Sequence, residues 1–133
     1  MFWEKDIETI DRKSLEKYQL KLLKKAIDYA KNSRFYNRVF AEQKVSSDDI
    51  NTIDDLKKIP FTTKQDLRNE FPDGFIAVDK SEIVRLHSSS GTTGQATAIY
   101  HTQRDLNIWT NLVARSLYMA GFRKTDIFQN MMG

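Results

Sequence analysis

The spacing of apolar residues predicts helices in the first part of the chain. Between Ser14 and Asn32, apolar and aromatic side chains recur near one helical face, and lysines cover much of the remaining surface. Ser14 is the predicted N-cap of this helix, with Glu16 favourably placed in its first turn. A second short helix is predicted around the aromatic cluster of residues 35–40, whose density is typical of a hydrophobic core. The apolar face of the first helix carries Leu15, Tyr18, Leu22, Ala26 and Tyr29.

Two further helix starts and a tight turn follow. Residues 52–55 and 63–66 each place a Thr three positions before an Asp, which is a variant of the capping box. Pro60 interrupts the chain between these two starts. Pro72–Gly74 predicts a turn. All of these signals concern architecture and indicate nothing about chemistry.

Beyond this turn the pattern changes to strands. Three short apolar runs are predicted strands: Phe75–Val78, Glu82–His87 and Ala96–His101. A helix opened by Thr102 is predicted to end near Gly121, before an extended segment that starts at Asp126. The buried side of this helix is expected to carry Trp109, Tyr118 and Phe122. We predict an α/β fold in which N-terminal helices are followed by the first strands of a mixed sheet. The predicted organisation is a single domain fragment, mainly helical over 1–74, with strands, a polar loop and one helix over 75–133.

The composition excludes several classes of protein. The 133 residues include no Cys, which excludes disulfide scaffolds, thiolate metal sites and cysteine nucleophiles. The 2 His would need carboxylates to complete a zinc site, so we expect no metal site. The net charge of +3 comes from 21 basic and 18 acidic residues that are interleaved, whereas nucleic-acid binding usually needs a concentrated basic face. The chain start lacks the apolar core of a signal peptide, and no apolar run approaches the roughly 20 residues that span a bilayer. We therefore expect a soluble, cytoplasmic protein with no nucleic-acid and no membrane partner.

The segment Ser88–Gly94 is the candidate for chemistry. It consists only of Ser, Thr and Gly and lies between two predicted strands. Its hydroxyl and backbone N–H donors suit a polyphosphate, because Gly lets the backbone approach a ligand closely. It is not a Walker A loop, because Gly94 is followed by Gln95 and a strand rather than by Lys and a helix. From these residues alone, an ordinary polar loop and a phosphate-binding loop both remain open.

A serine nucleophile is the other chemistry that this segment offers. A nucleophilic Ser must be activated by an adjacent base. His87, two positions before Ser89, shares its side of the predicted sheet without a guaranteed contact, so a serine-hydrolase function is disfavoured. We interpret His87 as a structural residue at a strand end and His101 as a surface residue before the helix cap. No catalytic residue is assigned.

Residues 89–94, Ser-Ser-Gly-Thr-Thr-Gly between strands, resemble the phosphate-binding loop of the adenylate-forming superfamily of acyl-CoA synthetases, peptide-synthetase adenylation domains and luciferases. The flanking blocks narrow the resemblance to the phenylacetate–CoA ligase branch, and the similarity runs along essentially the whole chain. These blocks are residues 2–9, 33–36, 61–68, 85–94, 100–102 and 105–106.

This resemblance implies both a fold and an activity. The chain would belong to the large N-terminal, AMP-binding domain of an ATP-dependent ligase that joins an aryl acid, phenylacetate, to coenzyme A. The acid's carboxylate would attack the α-phosphorus of ATP to form an acyl-adenylate, and pyrophosphate would leave. The thiol of coenzyme A would then displace AMP. The implied cofactors and partners are ATP, Mg²⁺, coenzyme A and a small aryl acid.

The resemblance also implies which residues bind the nucleotide. Hydroxyl and main-chain donors of the loop would hold the β- and γ-phosphates, and its glycines would give backbone access. The family usually has Lys-Pro after the loop, where this chain has Gln95-Ala96. That departure would weaken nucleotide affinity and loosen the loop's exit, while Gln95 keeps a side-chain donor. The implied binding residues are Ser89, Ser90, Gly91, Thr92, Thr93, Gly94 and Gln95.

The length of the chain predicts little or no activity for the chain by itself. Family members are several times longer, and this chain ends at Gly133 without a cap, a turn or a charged tail. We therefore expect a piece of a larger ligase that is inactive or nearly so by itself. Apolar surface meant for the rest of the sheet favours a homodimer or a self-associated fragment. The alternative from another class is a non-catalytic phosphate-binding or protein-interaction module.

Overall fold

A computed structural model describes residues 2–89 and 96–131. The chain divides into two compact units, Met1–Ile10 with Arg104–Gly133, and Asp11–Gln103. Among the described residues the α-helices are α1 (Lys5–Glu8), α2 (Arg12–Ala30), α3 (Arg34–Gln43), α4 (Lys64–Asn69) and α5 (Gln103–Met119). The strands are β1 (Ile83–Ser88) and β2 (Ala98–Thr102), and short 3₁₀ helices lie at Ser47–Asp49, Ile53–Lys58 and Lys80–Glu82. Helices therefore precede the strands, as predicted, whereas the single-domain organisation stays a prediction.

Helix α2 begins at Arg12 because Asp11 caps it. The Asp11 carboxylate accepts a hydrogen bond from the Ser14 backbone N–H at 3.0 Å. Hydrogen bonding from the Ser14 side chain, and then from its backbone N–H, lowers the pKa of Asp11 below its ordinary value. The predicted N-cap at Ser14 is wrong, since Ser14 lies in the first turn and supplies the donor. Asp and Ser are equally good caps, so their order in the sequence alone did not separate them.

Helices α2 and α3 carry the hydrophobic core of the Asp11–Gln103 unit. Ile27 of α2, Phe40 of α3 and Ile50 are 3%, 4% and 0% exposed. They form one cluster with Val45, and partly buried side chains of both helices pack around it. The aromatic cluster of residues 35–40 is thus part of a core, as predicted.

The segment Phe75–Val78 is not a strand, and that prediction is wrong. The Phe75 ring stacks on the ring of Phe35 in α3, with centroids 4.4 Å apart. The Gly74 carbonyl accepts a hydrogen bond from the Phe35 backbone N–H at 2.8 Å. This short apolar run therefore covers a helix instead of joining a sheet, and periodicity does not distinguish the two uses of so short a run.

Both predicted helix starts before this segment are confirmed. The Asp55 carboxylate accepts from the Thr52 backbone N–H at 2.9 Å at the start of the 3₁₀ helix Ile53–Lys58. At α4, Asp66 accepts from the Thr63 N–H at 2.7 Å, and the Thr63 hydroxyl accepts from the Asp66 N–H at 3.2 Å. These reciprocal bonds satisfy donors that a helix leaves unpaired at its start.

The two strands form an antiparallel hairpin. Its register pairs Leu86 with Tyr100, His87 with Ile99 and Ser88 with Ala98. An irregularity lies between Ile83 and Arg85. The predicted strands at Glu82–His87 and Ala96–His101 are confirmed with small shifts of their ends, and within the described residues the sheet consists of these two strands.

In the other unit, the N-terminal segment packs along α5. The Trp3 indole N–H donates to the Asn111 side-chain oxygen at 2.8 Å, and the Arg115 guanidinium pairs with the Glu4 carboxylate. The hydrogen bond from Arg115 is the main cause of the lowered pKa of Glu4. The rings of Trp3 and Tyr118 lie 5.6 Å apart. The chain start is therefore fastened to α5 by an aromatic contact and an ion pair.

Helix α5 ends where the sequence predicts, but a side chain that was expected to be buried on it is largely exposed. Gly121 has a φ of +101°, and the N–H of Phe122 reaches the Leu117 carbonyl at 3.0 Å, which is the Schellman arrangement that favours Gly. Trp109, expected on the buried side, is 45% exposed. The segment from Asp126, predicted as extended, belongs to no strand as far as Met131, the last described residue.

Candidate functional site

The hairpin β1–β2 brings together Ser89 and Thr97, which lie on either side of residues 90–95 in the sequence. Beyond the last strand pair, the Ser89 N–H donates to the Thr97 carbonyl at 3.0 Å. In return, the Thr97 N–H donates to the Ser89 hydroxyl oxygen at 3.0 Å. The Thr97 hydroxyl also donates to the Ser89 Oγ at 3.2 Å. We call these three hydrogen bonds the Ser89–Thr97 clasp, which closes the base of the loop between the strands.

Of the predicted nucleotide-binding residues, the structure describes one. Ser89 lies at the base of the loop, half-buried, with its hydroxyl in the clasp. All of the proposed binding roles, that of Ser89 included, stay predictions. The remaining members lie outside the described part of the chain: Ser90, Gly91, Thr92, Thr93, Gly94 and Gln95.

Sequence reasoning missed Thr97. This residue is 7% exposed, and both its backbone and its side chain bond to Ser89, eight positions earlier. A buried polar side chain normally has hydrogen-bond partners. The only sequence signal was a Thr at the start of a predicted strand, and Thr is common in strands for reasons of packing alone. The partner became visible only with the register of the hairpin.

The two histidines of the hairpin lie on the same face. His87 pairs with Ile99 and His101 pairs with Arg85, and the two rings are 5.0 Å apart. His101 is half-buried within β2, so its interpretation as a surface residue before the helix cap is corrected. The clasp places the Ser89 hydroxyl against Thr97, which is not a base, and this geometry gives a serine nucleophile no support.

The charge of the hairpin suits an anion. Residues 83–103 contain no Asp and no Glu, whereas the chain as a whole has 18 acidic residues. The same stretch carries Arg85 and both histidines. An anion held at the loop would therefore meet hydroxyl and N–H donors without a carboxylate beside them in the sequence, and negative charge is favoured by such a donor array.

Glu70 and Asp73, two carboxylates outside the hairpin with lowered pKa values, form ion pairs with basic side chains. Glu70 accepts from Arg38 at 2.7 Å and from Arg34 at 3.3 Å, and the bond from Arg38 is the main cause of its lowered pKa. The bond from Lys80 is the main cause of the lowered pKa of Asp73. Lowered pKa values of this origin indicate structural ion pairs, between α3 and Glu70 and between Asp73 and Lys80, rather than a general acid or base.

Other parts of the described structure add no second chemistry. A groove of about 460 Å³ lies against α2 and is lined by Leu20, Asn51 and charged side chains, none of them from the hairpin. Within residues 2–89 and 96–131, no three His, Asp or Glu side chains are grouped to hold a metal ion. No helix in the described ranges is both long and apolar enough to cross a membrane.

Comparison with known proteins gives consistent results. The chain is 46% identical over 121 residues to a phenylacetate-coenzyme A ligase of Pseudomonas putida, which covers 90% of this chain. It is 44% identical over 121 residues to the enzyme of the same name from Escherichia coli. It is 38% identical over 134 residues, its full length, to that from Thermus thermophilus. The chain is a relative of the phenylacetate–CoA ligases. No protein-family model matches it.

Solved structures agree with this relationship. A crystal structure of 2-hydroxyisobutyryl-CoA ligase in the postadenylation state, in complex with 2-HIB-AMP, matches 94% of this chain with a TM-score of 0.85 and 26% identity. An open conformation of that ligase, in complex with 2-HIB-AMP and CoA, matches with a TM-score of 0.84. The predicted resemblance to adenylate-forming CoA ligases is therefore confirmed, and the observed fold is that of a part of such an enzyme.

The relationship covers only part of each relative. The chain spans 28% to 30% of the length of these phenylacetate-coenzyme A ligases and 27% of the first structural match.

Proposed function

We propose that this chain is the part of an AMP-forming ligase that holds the phosphate end of ATP, and that the complete protein joins phenylacetate or a similar aryl acid to coenzyme A. The observation that carries the proposal is the identity of 38% to 46% over at least 90% of the chain with phenylacetate-coenzyme A ligases. The acid-free hairpin, clasped at the base of a hydroxyl-rich loop, supports this role for residues 88–97.

The reaction proposed has two displacements. In the first, a carboxylate oxygen of the aryl acid bonds to the α-phosphorus of ATP, and the bond from that phosphorus to pyrophosphate breaks. In the second, the thiol of coenzyme A, losing its proton, bonds to the acyl carbon of the adenylate, and AMP leaves. Both steps depend mainly on placement and on compensation of negative charge, which is what a preorganised donor array contributes.

The loop's task in this proposal is to hold the leaving pyrophosphate. Ser89, Ser90, Thr92 and Thr93 donate hydrogen bonds to β- and γ-phosphate oxygens. Gly91 and Gly94 let the backbone N–H groups approach those oxygens. Gln95 donates from its amide at a position where the family resemblance implies Lys, so charge compensation there is weaker. None of these residues transfers a proton.

Mg²⁺ is assigned no ligand in this chain. The metal would neutralise phosphate charge when bound with ATP. The described residues offer no group of carboxylates for it, and a loop of Ser, Thr and Gly supplies donors to the phosphates rather than charged ligands to a cation. We therefore assign no step of this chain's chemistry to the metal.

A coupled assay for pyrophosphate tests the proposal. The complete protein, given ATP, Mg²⁺, coenzyme A and phenylacetate, is expected to release one pyrophosphate and one AMP for each thioester formed. The 133-residue chain alone is expected to release none, because it spans less than a third of its relatives. Absence of pyrophosphate release by the complete protein across a panel of aryl acids would favour the non-catalytic phosphate-binding or protein-interaction module.

The loop assignment has its own test. In the complete protein, replacing both Thr92 and Thr93 with Val removes two hydroxyl donors, and we expect kcat/KM for ATP to fall by about 10²-fold. Thr125→Val makes one such Thr-to-Val change outside the loop and serves as the control. Equal kinetics for the loop variant and the control would show that the loop is misassigned.

The setting of the enzyme is also part of the proposal. A cytoplasmic location fits a reaction that uses ATP and coenzyme A, and cell fractionation tests it. Self-association of the isolated chain is supported by the apolar side chains that the hairpin leaves more than half exposed, such as Leu86 at 55%. A homodimer of the complete protein is a separate prediction, which sedimentation of that protein tests.

A further inference from the structure

In the Ser89–Thr97 clasp, the Ser89 hydroxyl oxygen is a double hydrogen-bond acceptor. The Thr97 N–H and the Thr97 hydroxyl both donate to Ser89 Oγ, at 3.0 and 3.2 Å. A serine hydroxyl has two acceptor positions and one hydrogen to donate. With both acceptor positions taken by Thr97, the single hydrogen of Ser89 is left to be donated to a third partner, and a phosphate oxygen is such an acceptor.

The clasp also fixes where that hydrogen is offered. The Ser89 N–H donates to the Thr97 carbonyl at 3.0 Å, so backbone and side chain of the two residues are joined in both directions. Thr97 is 7% exposed, and its side chain is held by packing as well as by hydrogen bonds. A hydroxyl oriented in this way needs no reorganisation when an anionic oxygen arrives.

We infer that Thr97 is a positioning residue for the proposed pyrophosphate site: it turns the Ser89 hydroxyl into a dedicated hydrogen-bond donor for a phosphate oxygen. This inference rests on the proposed function of the loop. Thr97 itself touches no phosphate in this scheme and acts only through Ser89. The donor that it prepares lies directly after the last strand pair, Ser88 with Ala98.

Two substitutions at this position separate positioning from packing. Thr97→Val keeps the size, the β-branch and the backbone N–H of the residue, and it removes only the hydroxyl donor. Ser89 then has one free acceptor position and no longer offers its hydrogen in a fixed direction. Thr97→Ser removes a methyl group and keeps the hydroxyl, so it restores positioning while it worsens packing.

The kinetic test uses the complete protein in ATP–pyrophosphate exchange. For Thr97→Val we expect the KM for ATP to rise about tenfold, the effect of one lost hydrogen bond, with the KM for phenylacetate unchanged. For Thr97→Ser we expect a KM for ATP within about twofold of the wild type, because the hydroxyl is kept. Circular dichroism verifies that both variants are folded, and Thr125→Val is the matched control.

Pyrophosphate binding by calorimetry gives a readout that needs no catalysis. We expect the affinity of the complete protein for pyrophosphate to fall about tenfold in Thr97→Val and to be kept in Thr97→Ser. An active wild type with unchanged ATP and pyrophosphate affinities in Thr97→Val would overturn this inference and leave the ligase intact. So would a Thr97→Ser variant as impaired as Thr97→Val.

The same binding measurement separates this inference from the proposed function. An inactive wild type whose pyrophosphate binding is weakened in Thr97→Val would support the role of Thr97 and contradict the ligase. A wild type that neither reacts nor binds pyrophosphate would overturn both.

Discussion

Within the Asp11–Gln103 unit, the helical layer (residues 12–70, to the C-cap of α4) buries its apolar side chains more completely than the hairpin β1–β2 does. Ile27, Phe40 and Ile50 in the helical layer are at most 4% exposed. Leu86 and Ile99 in the hairpin are 55% and 52% exposed. Burial of apolar surface is the main favourable term in folding. The helices therefore supply most of the stability of the unit, and the hairpin contributes less.

The two regions also differ in their charged groups. Several carboxylates of the helical layer form caps or ion pairs, as Asp66 does at the start of α4 and Glu70 does with Arg34 and Arg38. Residues 83–103 of the hairpin have none at all. A loop that is to hold an anion benefits from this separation, because a nearby carboxylate would oppose binding.

The largest effect is expected from a cavity in the helical core. Ile50→Ala removes the side chain of a residue that is 0% exposed, and the free energy of unfolding is expected to fall by about 2–5 kcal/mol. The matched control in the hairpin, Ile99→Ala, starts from a side chain that is 52% exposed, and we expect a loss below about 1 kcal/mol. Urea unfolding of both variants of the chain measures the difference. Equal losses of unfolding free energy would show that the hairpin stabilises the chain as much as the helical core does.

A smaller effect is expected at the ion pairs of Glu70. Glu70→Gln removes the negative charge that Arg34 and Arg38 share, and the urea midpoint is expected to fall at pH 7. The folded pKa of Glu70 lies below its ordinary value of 4.5. The stabilising contribution is therefore complete above about pH 4.5 and is lost as the pH falls through the folded pKa.

The control for this pair is Glu42→Gln. Glu42 lies 4.0 Å from Arg38, and its side chain is 62% exposed, compared with 13% for Glu70. We expect the urea midpoint of unfolding of Glu42→Gln to stay close to that of the wild type at any pH, because exposed ion pairs contribute little to stability. A Glu70→Gln effect that persists undiminished at pH 2 would show that the side chain acts through packing and not through its charge.

The smallest effect on stability is expected on the hairpin surface. Leu86→Lys replaces a side chain that is 55% exposed, and the free energy of unfolding is expected to change by less than about 0.5 kcal/mol. The same change is expected to reduce self-association of the 133-residue chain, because a charge on an open edge hinders strand pairing. Sedimentation velocity over a range of concentrations measures the self-association of the unsubstituted chain and of Leu86→Lys. A monodisperse monomer for the unsubstituted chain would contradict the expected association.

Much of the helical layer was predictable because its signals are local. Thr63 and Asp66 lie three positions apart and bond to each other, so the pattern contains both partners. The end of α5 at Gly121 follows in the same way from a residue that tolerates a positive φ. The start of α2 was misplaced because Asp11 and Ser14 are both good caps, and the choice between them depends on where the chain enters the helix.

The predictions that failed depend on distant partners. Phe75 was assigned to a strand, yet its ring stacks on Phe35, forty positions earlier. Trp109 was placed on the buried side of its helix and is 45% exposed. Neither outcome can be deduced from periodicity, since the pattern tells which residues are apolar and not which surface meets them.

Local signals in the sequence were enough to predict the helix starts at Thr52 and Thr63, the end of α5, the two strands of the hairpin and the acid-free, hydroxyl-rich segment between them. The flanking blocks were enough to predict the kinship to the phenylacetate–CoA ligases. These features depend on residue types and on neighbours three or four positions apart. That Phe75 packs on Phe35 of α3 and that Thr97 bonds to Ser89 could be seen only in the folded chain. Such contacts arise from the packing of helices and the register of strands, which join residues that the linear pattern keeps apart.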